Sequence, residues 1–492
     1  MTRSENKRSA FTLIGMILLT FLGQVLALYK SHFTAVTFGA TNYMDAYNYA
    51  LNIASFVFAF ITTGITTVIV PAYVKKKPAE AVNTFITVIF GITFLVVLLV
   101  FAGRIPIISL LTKKDTVFVE TTGNFLFIAF LIQAITAFLA VTTAYFQCIN
   151  HYVIPKAVVL ISNLMVTVVL LLGWVKDIRM YLFLLMAGAF MNLLLDLFIA
   201  IRLGFRYKPT LQLKMPEFID MMYIFIPTLI SSGVYRIHTF VDTTIAAGLS
   251  EGQLTILSYS TQVMSLVNGI IVGNLTVYAY PKIVARLSKE DHQQYFWDYT
   301  VLFHAVVCIL FACFVTGGKE ALSFLFSGGK FTAEDTNILY LCTVIYFFGQ
   351  QFNIIRDLIY RYFYANGNTK TTLQNSVMVS VTNIILSLIL VRFIGLYGIV
   401  LGTILSSFIS LSRITMQFHK QYVIQLSFLS ILKEYGKNII AFIVAIGCVW
   451  LLQPYLQMHH AFILMMVKVT ITLAVYVVMI LLMKTRVRKM KL

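Results

Sequence analysis

The chain has 492 residues, of which 59% are hydrophobic and 11% charged, with a net charge of +18 and a mean hydropathy of +0.87. A water-soluble protein would carry about a quarter charged residues, so a soluble enzyme is excluded. Nucleic-acid binding is excluded too, because the basic residues are dispersed through alternate short connections.

Fourteen apolar stretches fill the chain almost end to end. A hydrocarbon core needs roughly 20 apolar residues per helix, and each stretch supplies them. They begin near Ala10, Met44, Val82, Phe118, Ile154, Met180, Phe218, Gln253, Phe296, Thr336, Thr371, Leu396, Ile431 and Ala461. The expected fold class is therefore an all-α polytopic membrane protein with about 14 transmembrane helices; runs this long do not suit barrel strands. The run after Lys7 and Arg8 has no small-residue cleavage site behind it and reads as helix 1, retained. With the N-terminus in the cytoplasm, cytoplasmic segments hold 25 Lys and Arg, including Lys75, Lys76, Lys77, Arg202 and Arg206, against nine outside, such as Lys30, Arg104 and Arg392. That bias predicts both termini in the cytoplasm. Cys148, Cys308, Cys313, Cys342 and Cys448 lie in or beside apolar helices without ligand spacing, so neither a disulfide framework nor a zinc site is expected.

Two echoes point to an internal repeat. Helix 2 ends with Pro71 followed by Lys75, Lys76 and Lys77; helix 8 ends with Pro281 followed by Lys282 and Arg286. Phe146-Gln-Cys-Ile-Asn150 leads through Lys156 to Asn163, and Phe363-Tyr-Ala-Asn-Gly-Asn368 leads through Lys370 to Asn383. The expected organisation is a lobe of helices 1–6 (residues 1–208), a matching lobe of helices 7–12 (209–422), and an appended pair, helices 13 and 14, with a basic tail (423–492). Parallel repeats of this kind bracket a substrate site near the bilayer midplane.

An ionisable group at a helix centre costs roughly 2.5–3.5 kcal/mol on insertion scales, so each should face a cavity or a partner. Lys30 closes helix 1 and Asp45 opens helix 2; either they line a cavity or they meet headgroups at the boundary. Glu120 and Asp196 lie in helices 4 and 6. Arg236, deep in helix 7, either pairs with Asp242 or lines the cavity. Arg356 and Asp357 read as a structural pair, and Lys468 as a side chain that snorkels to the outer face. Asn383 and Ser387 share a face of helix 11. With Thr403 and Asp242 they offer oxygen ligands for a small cation, or else ordinary interhelical hydrogen bonds. Gly317-Gly-Lys-Glu320 and Gly328-Gly-Lys-Phe331 lack the spacing of a phosphate loop. Without a nucleotide site, energy must come from ion gradients, the membrane potential or the substrate's own gradient.

Four motifs carry a family resemblance. Phe38-Gly-Ala-Thr-Asn-Tyr-Met-Asp-Ala-Tyr47 resembles the helix 1–2 junction of the MurJ (MviN) lipid II flippases, within the multidrug/oligosaccharidyl-lipid/polysaccharide exporter superfamily. Val241-Asp-Thr243 with Leu257-Ser-Tyr259 and Pro281 is similar to their helix 7–8 region. The segment from Phe326 to Thr336 resembles their loop before helix 10, and that from Arg361 to Thr371 their helix 10–11 turn. The resemblance implies a transporter rather than an enzyme. It implies alternating access for an undecaprenyl-diphosphate-linked saccharide in the bacterial cytoplasmic membrane, with the lipid tail in a groove along helices 13 and 14.

For the site, the resemblance implies a headgroup cavity containing Lys30, Asp45, Arg236, Gln24 and Gln262. It implies a sodium site at Asp242, Asn383 and Thr403, with Ser387 where a carboxylate often stands. Arginines common in the family are replaced by Gln24, Phe58 and Gln262, and an acid by Ser31. A less basic cavity leaves lipid II and an exopolysaccharide or teichoic repeat unit as alternative cargoes. A cation-coupled drug antiporter is the further alternative. No cofactor is expected beyond sodium or membrane-potential coupling. The expected state is a monomer in the bilayer, with cell-wall or polysaccharide synthases as partner enzymes.

Overall fold

The computed structural model describes residues 3–74, 77–269, 292–422, 428–456 and 460–486. Fourteen α-helices lie among them. They are α1 (Arg3–Phe38), α2 (Asn42–Val74), α3 (Ala79–Leu111), α4 (Thr116–Cys148), α5 (Val153–Leu171), α6 (Ile178–Arg202) and α7 (Pro216–Ala247). They continue with α8 (Gln253–Val267), α9 (His292–Phe326), α10 (Ala333–Ala365), α11 (Thr369–Ile394), α12 (Leu396–Tyr422), α13 (Phe428–Leu452) and α14 (Ala461–Leu482). One helix stands at each apolar stretch, and eleven meet the length and hydropathy of a membrane span among the described residues. The reason is the solvent: a backbone N–H or C=O in hydrocarbon finds no water, so a segment that bonds its own backbone is the stable form. Side chains close the starts of α4, α6, α10 and α11. Asp177 accepts from the Met180 N–H at 2.7 Å, and Thr332 and Asp335 form a reciprocal capping box at the start of α10.

The described residues form two compact units, Met1–Thr255 and Ile256–Leu492. In the first, α2 packs on α4 and α7, α4 on α3 and α6, and α1 on α5. Phe56 and Phe240 stack at 4.4 Å across the α2–α7 contact. In the second, α12 packs on α10 and α11, while α9 packs on α10, α13 and α14. Its densest core is aromatic, with Phe296, Tyr362 and Phe418 buried together. The expected lobes, 1–208 and 209–422 with 423–492 appended, rest on two sequence echoes; compactness is a separate criterion, and it gathers α7 into the first unit through α2 and α3. Large apolar side chains such as Phe94, Leu110, Phe393 and Trp450 are exposed, as lipid-facing residues are.

One echo of the sequence recurs as geometry. After α4, the His151 N–H donates to the Phe146 carbonyl at 2.8 Å, with Asn150 at φ 60°. After α10, the Asn368 N–H donates to the Phe363 carbonyl at 3.0 Å, with Gly367 at φ 74°. Both helices thus end in the same five-residue closure, with a left-handed residue just before the donor. The other echo ends at Pro281, Lys282 and Arg286, which lie outside the described residues.

The α11–α12 hairpin turns on Gly395 alone, which forces close approach just beyond it. A Cβ at Gly398 would collide with the Leu390 carbonyl and lie 2.6 Å from the Val391 nitrogen. Gly398→Ala is expected to destabilise this hairpin by about 1–3 kcal/mol, the usual cost of overpacking. Gly436→Ala, whose Cβ would meet nothing within 4 Å, is expected to leave stability unchanged or slightly raised. Thermal unfolding of the two purified variants, side by side, checks both.

Candidate functional site

In the first unit, α1 brings Lys30 against α5. The half-buried ammonium donates to the Asn163 carbonyl oxygen at 2.7 Å. Thr167, one turn on, donates to the Asn163 backbone carbonyl at 2.8 Å. Ser31 is buried and returns its hydroxyl to the Ala27 carbonyl at 3.0 Å. Gln24 is half-buried on the same helix. Six residues at 3.6 per turn put it about 120° away from Lys30 around the axis. Phe58 is fully buried, edge-on to Phe130 at 5.5 Å. A core ring occupies that position, which leaves no room for a solvated arginine.

Asp45, expected in the cavity or at the headgroups, is 2% exposed and serves the fold instead. One carboxylate oxygen accepts from the Gly252 N–H at 2.7 Å. The other accepts from the Thr255 N–H at 2.8 Å and the Thr255 hydroxyl at 2.7 Å. The acid therefore caps the start of α8, where free N–H groups and the helix dipole favour negative charge. The Asn42 N–H adds a bond to the Glu251 carboxylate at 2.9 Å. The motif that runs from Phe38 to Tyr47 thus locks the α1–α2 junction to the α7–α8 turn.

Arg236 is exposed on α7, whereas Asp242 is 6% exposed. No ion pair joins them among the described residues, which corrects one of the two expectations for Arg236. Six positions apart, they project about 120° from one another. Arg356 and Asp357 do pair, at 2.9 Å.

In the second unit, the Asn383 amide donates to the Thr403 hydroxyl at 2.9 Å, and Thr403 donates to the Ile399 carbonyl at 3.2 Å. The Asn383 carbonyl oxygen and the Ser387 hydroxyl are buried without a hydrogen-bond partner. A Cβ at Gly402 would sit 2.9 Å from the Ser387 nitrogen and hydroxyl, so this glycine lets α12 press on Ser387. Asn383, Ser387 and Thr403 together offer hard oxygen donors, and two of those oxygens lack partners, which fits a small hard cation. Asp242, the fourth residue of the expected set, belongs to the first unit. Among the described residues no cluster of three His, Cys, Asp or Glu could hold a metal. Gln262 is half-buried on α8.

Lys468 corrects the snorkelling expectation. It is 7% exposed and forms an ion pair with Glu320 of α9. One turn away Thr316 and Thr472 bond at 2.8 Å, and the Tyr476 hydroxyl donates to the Ala305 carbonyl at 3.0 Å. A polar ladder therefore fastens α14 to α9. Sequence reasoning missed Glu320 because it was read within a failed phosphate-loop fragment; α9 in fact runs on to Phe326. The outer side of α14 carries an apolar groove of about 320 Å³ lined by Phe462, Ile463, Met466 and Thr470.

Among the described residues, fourteen helices with buried polar cross-links and lipid-facing apolar surfaces define a polytopic helical membrane protein. Solved structures of other membrane transporters share its fold. An inward-facing multidrug resistance MATE family transporter matches with a TM-score of 0.58 at 13% identity, covering 80% of this chain and 95% of that one. A solved lipid II flippase MurJ in an inward closed conformation matches with a TM-score of 0.80 at 19% identity, covering 95% and 98%. The family profile described as lipid II flippase MurJ matches residues 34–473, and the chain belongs to that family. Probable lipid II flippases MurJ from Thermotoga maritima (25% identical; 79% of this chain, 80% of the relative) and Borreliella burgdorferi (22%; 82% and 81%) are similar along most of their length. The chain is accordingly a multi-pass protein of the bacterial cytoplasmic membrane.

Removing one partner of a buried ion pair strands the other charge, at a cost of about 3–5 kcal/mol. Lys468→Met and Glu320→Gln are each expected to lower unfolding stability by about that amount. The double variant should recover most of it, as read by a double-mutant cycle on purified protein.

Proposed function

We propose that this chain carries lipid II across the cytoplasmic membrane by exposing its headgroup site alternately to the two sides, with both termini in the cytoplasm. The observation that carries this reading is the family match over residues 34–473, joined to relatives of that name matched over about four-fifths of each chain. The chemistry supports it. A diphosphate leaving water needs charge-assisted donors, and Lys30, held ready by Asn163, and the exposed Arg236 are cationic donors within the first unit. Gln24 adds a neutral amide on α1. The undecaprenyl chain runs along the apolar groove of α14. Transport involves no covalent step, and the chain works as a monomer beside the synthases that make and use the lipid-linked precursor. An exopolysaccharide or teichoic cargo is the weaker reading, because the curated relatives are named for lipid II.

Coupling is proposed through sodium and the membrane potential. Asn383, Ser387 and Thr403 would hold the ion in the second unit, and it would supply the positive charge that the two unpartnered oxygens lack.

Complementation tests the cargo: cells depleted of their own lipid II flippase should survive on this gene. Lys30→Ala should lower transport by about 10- to 150-fold, equivalent to a charged hydrogen bond of about 1.5–3 kcal/mol, with the protein still inserted. Lys30→Arg should keep most activity. Failure to complement, with the protein present in the membrane, counts against lipid II. Replacement of sodium by choline in a vesicle assay should slow transport several-fold, and Asn383→Ala should remove that dependence; indifference of the parent protein to sodium rejects the ion site.

A further inference from the structure

In the first unit α3 packs on α4, and an apolar groove of about 360 Å³ runs along the pair. It is lined by Phe94, Leu98 and Phe101 from α3 and by Phe127, Leu131 and Phe138 from α4. Thr93, the polar residue along it, has its hydroxyl buried, so the open lining is hydrocarbon. Phe94 is 71% exposed, which leaves the groove open to the lipid side. Two ring pairs cross from helix to helix. Phe101 meets Phe127 at 4.8 Å, and Phe90 meets Phe138 edge-on at 4.3 Å. The groove lies between these pairs. From Phe90 to Phe101 the helix rises about 16 Å. One leaflet of a hydrocarbon core about 30 Å thick has nearly the same depth.

Arg104 stands at the Phe101 end. Its guanidinium lies over the Phe101 ring at 5.0 Å and donates to the Phe101 carbonyl at 2.7 Å. An arginine that only snorkels reaches along the apolar surface towards water. This one is half-buried and folded back onto a ring of the groove. Helix α4 makes room for it. A Cβ at Gly123 would lie 3.6 Å from the Arg104 Cγ and 2.6 Å from the Ile105 Cδ1, so this glycine lets α4 approach the arginine stem. Gly123 and Phe127 are one turn apart and share the face of α4 that lines the groove.

No carboxylate pairs with Arg104 among the described residues. Other charges at this end are engaged or exposed. Lys114 lies over Phe118 at 5.4 Å, Asp115 caps α4 by accepting from the Phe118 N–H at 3.3 Å, and Lys113 and Glu120 are exposed. A guanidinium presents five donors in a planar fork. One is engaged here, which leaves donors for an oxyanion.

An apolar slot one leaflet deep, with an unpaired guanidinium at its mouth, selects its occupant by chemistry. Free phosphate would leave the slot unfilled, and a hydrocarbon without phosphate would leave the cation unpaired. We propose that the α3–α4 groove holds a single glycerophospholipid of the bilayer, with its phosphodiester on Arg104 and one acyl chain lying along the groove to Phe138. The chain supplies the contacts that α3 and α4 do not give each other there, so this lipid packs as part of the first unit. The site is separate from the α14 groove, which belongs to the second unit.

Native mass spectrometry of the full-length protein, delipidated in detergent and titrated with dioleoylphosphatidylglycerol, tests this. One molecule per chain should bind ahead of all others. Arg104→Gln should weaken that first binding by about tenfold or more, as expected for loss of a hydrogen bond to a charged group. Leu98→Trp, which fills the groove from an exposed position, should weaken it at least as much. Dioleoylglycerol, with the chains but no phosphate, should bind the parent no better than it binds Arg104→Gln. Arg392→Gln, at an exposed arginine on α11 of the second unit, should bind phospholipid as the parent does. Should Leu98→Trp not fold, Arg104→Gln and the dioleoylglycerol comparison decide the matter. Unchanged first binding in Arg104→Gln or in folded Leu98→Trp overturns the proposal. An equal loss in Arg392→Gln overturns it too, because the lipid then belongs to the general shell around surface arginines.

Discussion

Hydrocarbon offers no hydrogen bonds, and the rest of this structure follows from that. Backbone groups are satisfied within each helix, so what distinguishes one packing of fourteen helices from another is where the few buried polar side chains find partners. Asp45 gathers three donors at the α7–α8 turn, Lys30 joins α1 to α5, Lys468 joins α14 to α9 and Asn383 joins α11 to α12. Each contact fixes a register. Turning any of these helices by one residue, about 100°, would leave a polar group facing oil, at roughly 2–7 kcal/mol for a neutral group and more for a charge. Apolar packing between these helices tolerates such a turn far better, since lipid tails are as apolar as leucine.

That division explains what the sequence discloses. The fourteen helices of the described residues are legible, because length and apolarity are local properties. So is the pair of similar closures after α4 and α10, because the Phe acceptor and the left-handed Asn or Gly of each lie within six residues. Partners are not legible. Asp45 and Gly252 are separated by 207 positions and Lys468 and Glu320 by 148, and no spacing rule reaches that far. Lys468 near a helix end reads as snorkelling because that is its fate when alone; only the fold supplies Glu320. Arg236 and Asp242 failed for the opposite reason. They are close in sequence, but a helix turns them apart.

The positions where family arginines are absent also sort by surroundings. Phe58 has become part of the packed core against Phe130, so its change is a change of packing as well as charge. Gln24 and Gln262 remain half-buried and keep amides that can donate. The first unit therefore keeps a hydrogen-bond donor at position 24 without a charge there, and Lys30 is the cation that stands nearby on the same helix. A lone ammonium on a flexible stem binds as a point charge, so it needs a second group to hold its direction, and Asn163 supplies one.

The two units carry the same short element with different contents. Asn163 and Thr167 on α5 stand four apart, as do Asn383 and Ser387 on α11. In the first unit the asparagine oxygen receives an ammonium tethered to α1. In the second, the corresponding oxygen is buried and has no donor, while the asparagine amide is spent on Thr403. In the first unit the Asn163 oxygen meets a covalently attached cation, which cannot leave. In the second unit the Asn383 oxygen meets no donor among the described residues. A fixed charge at one asparagine oxygen and an unpartnered oxygen at the other make the two helices physically unlike, although the spacing of their polar residues is the same.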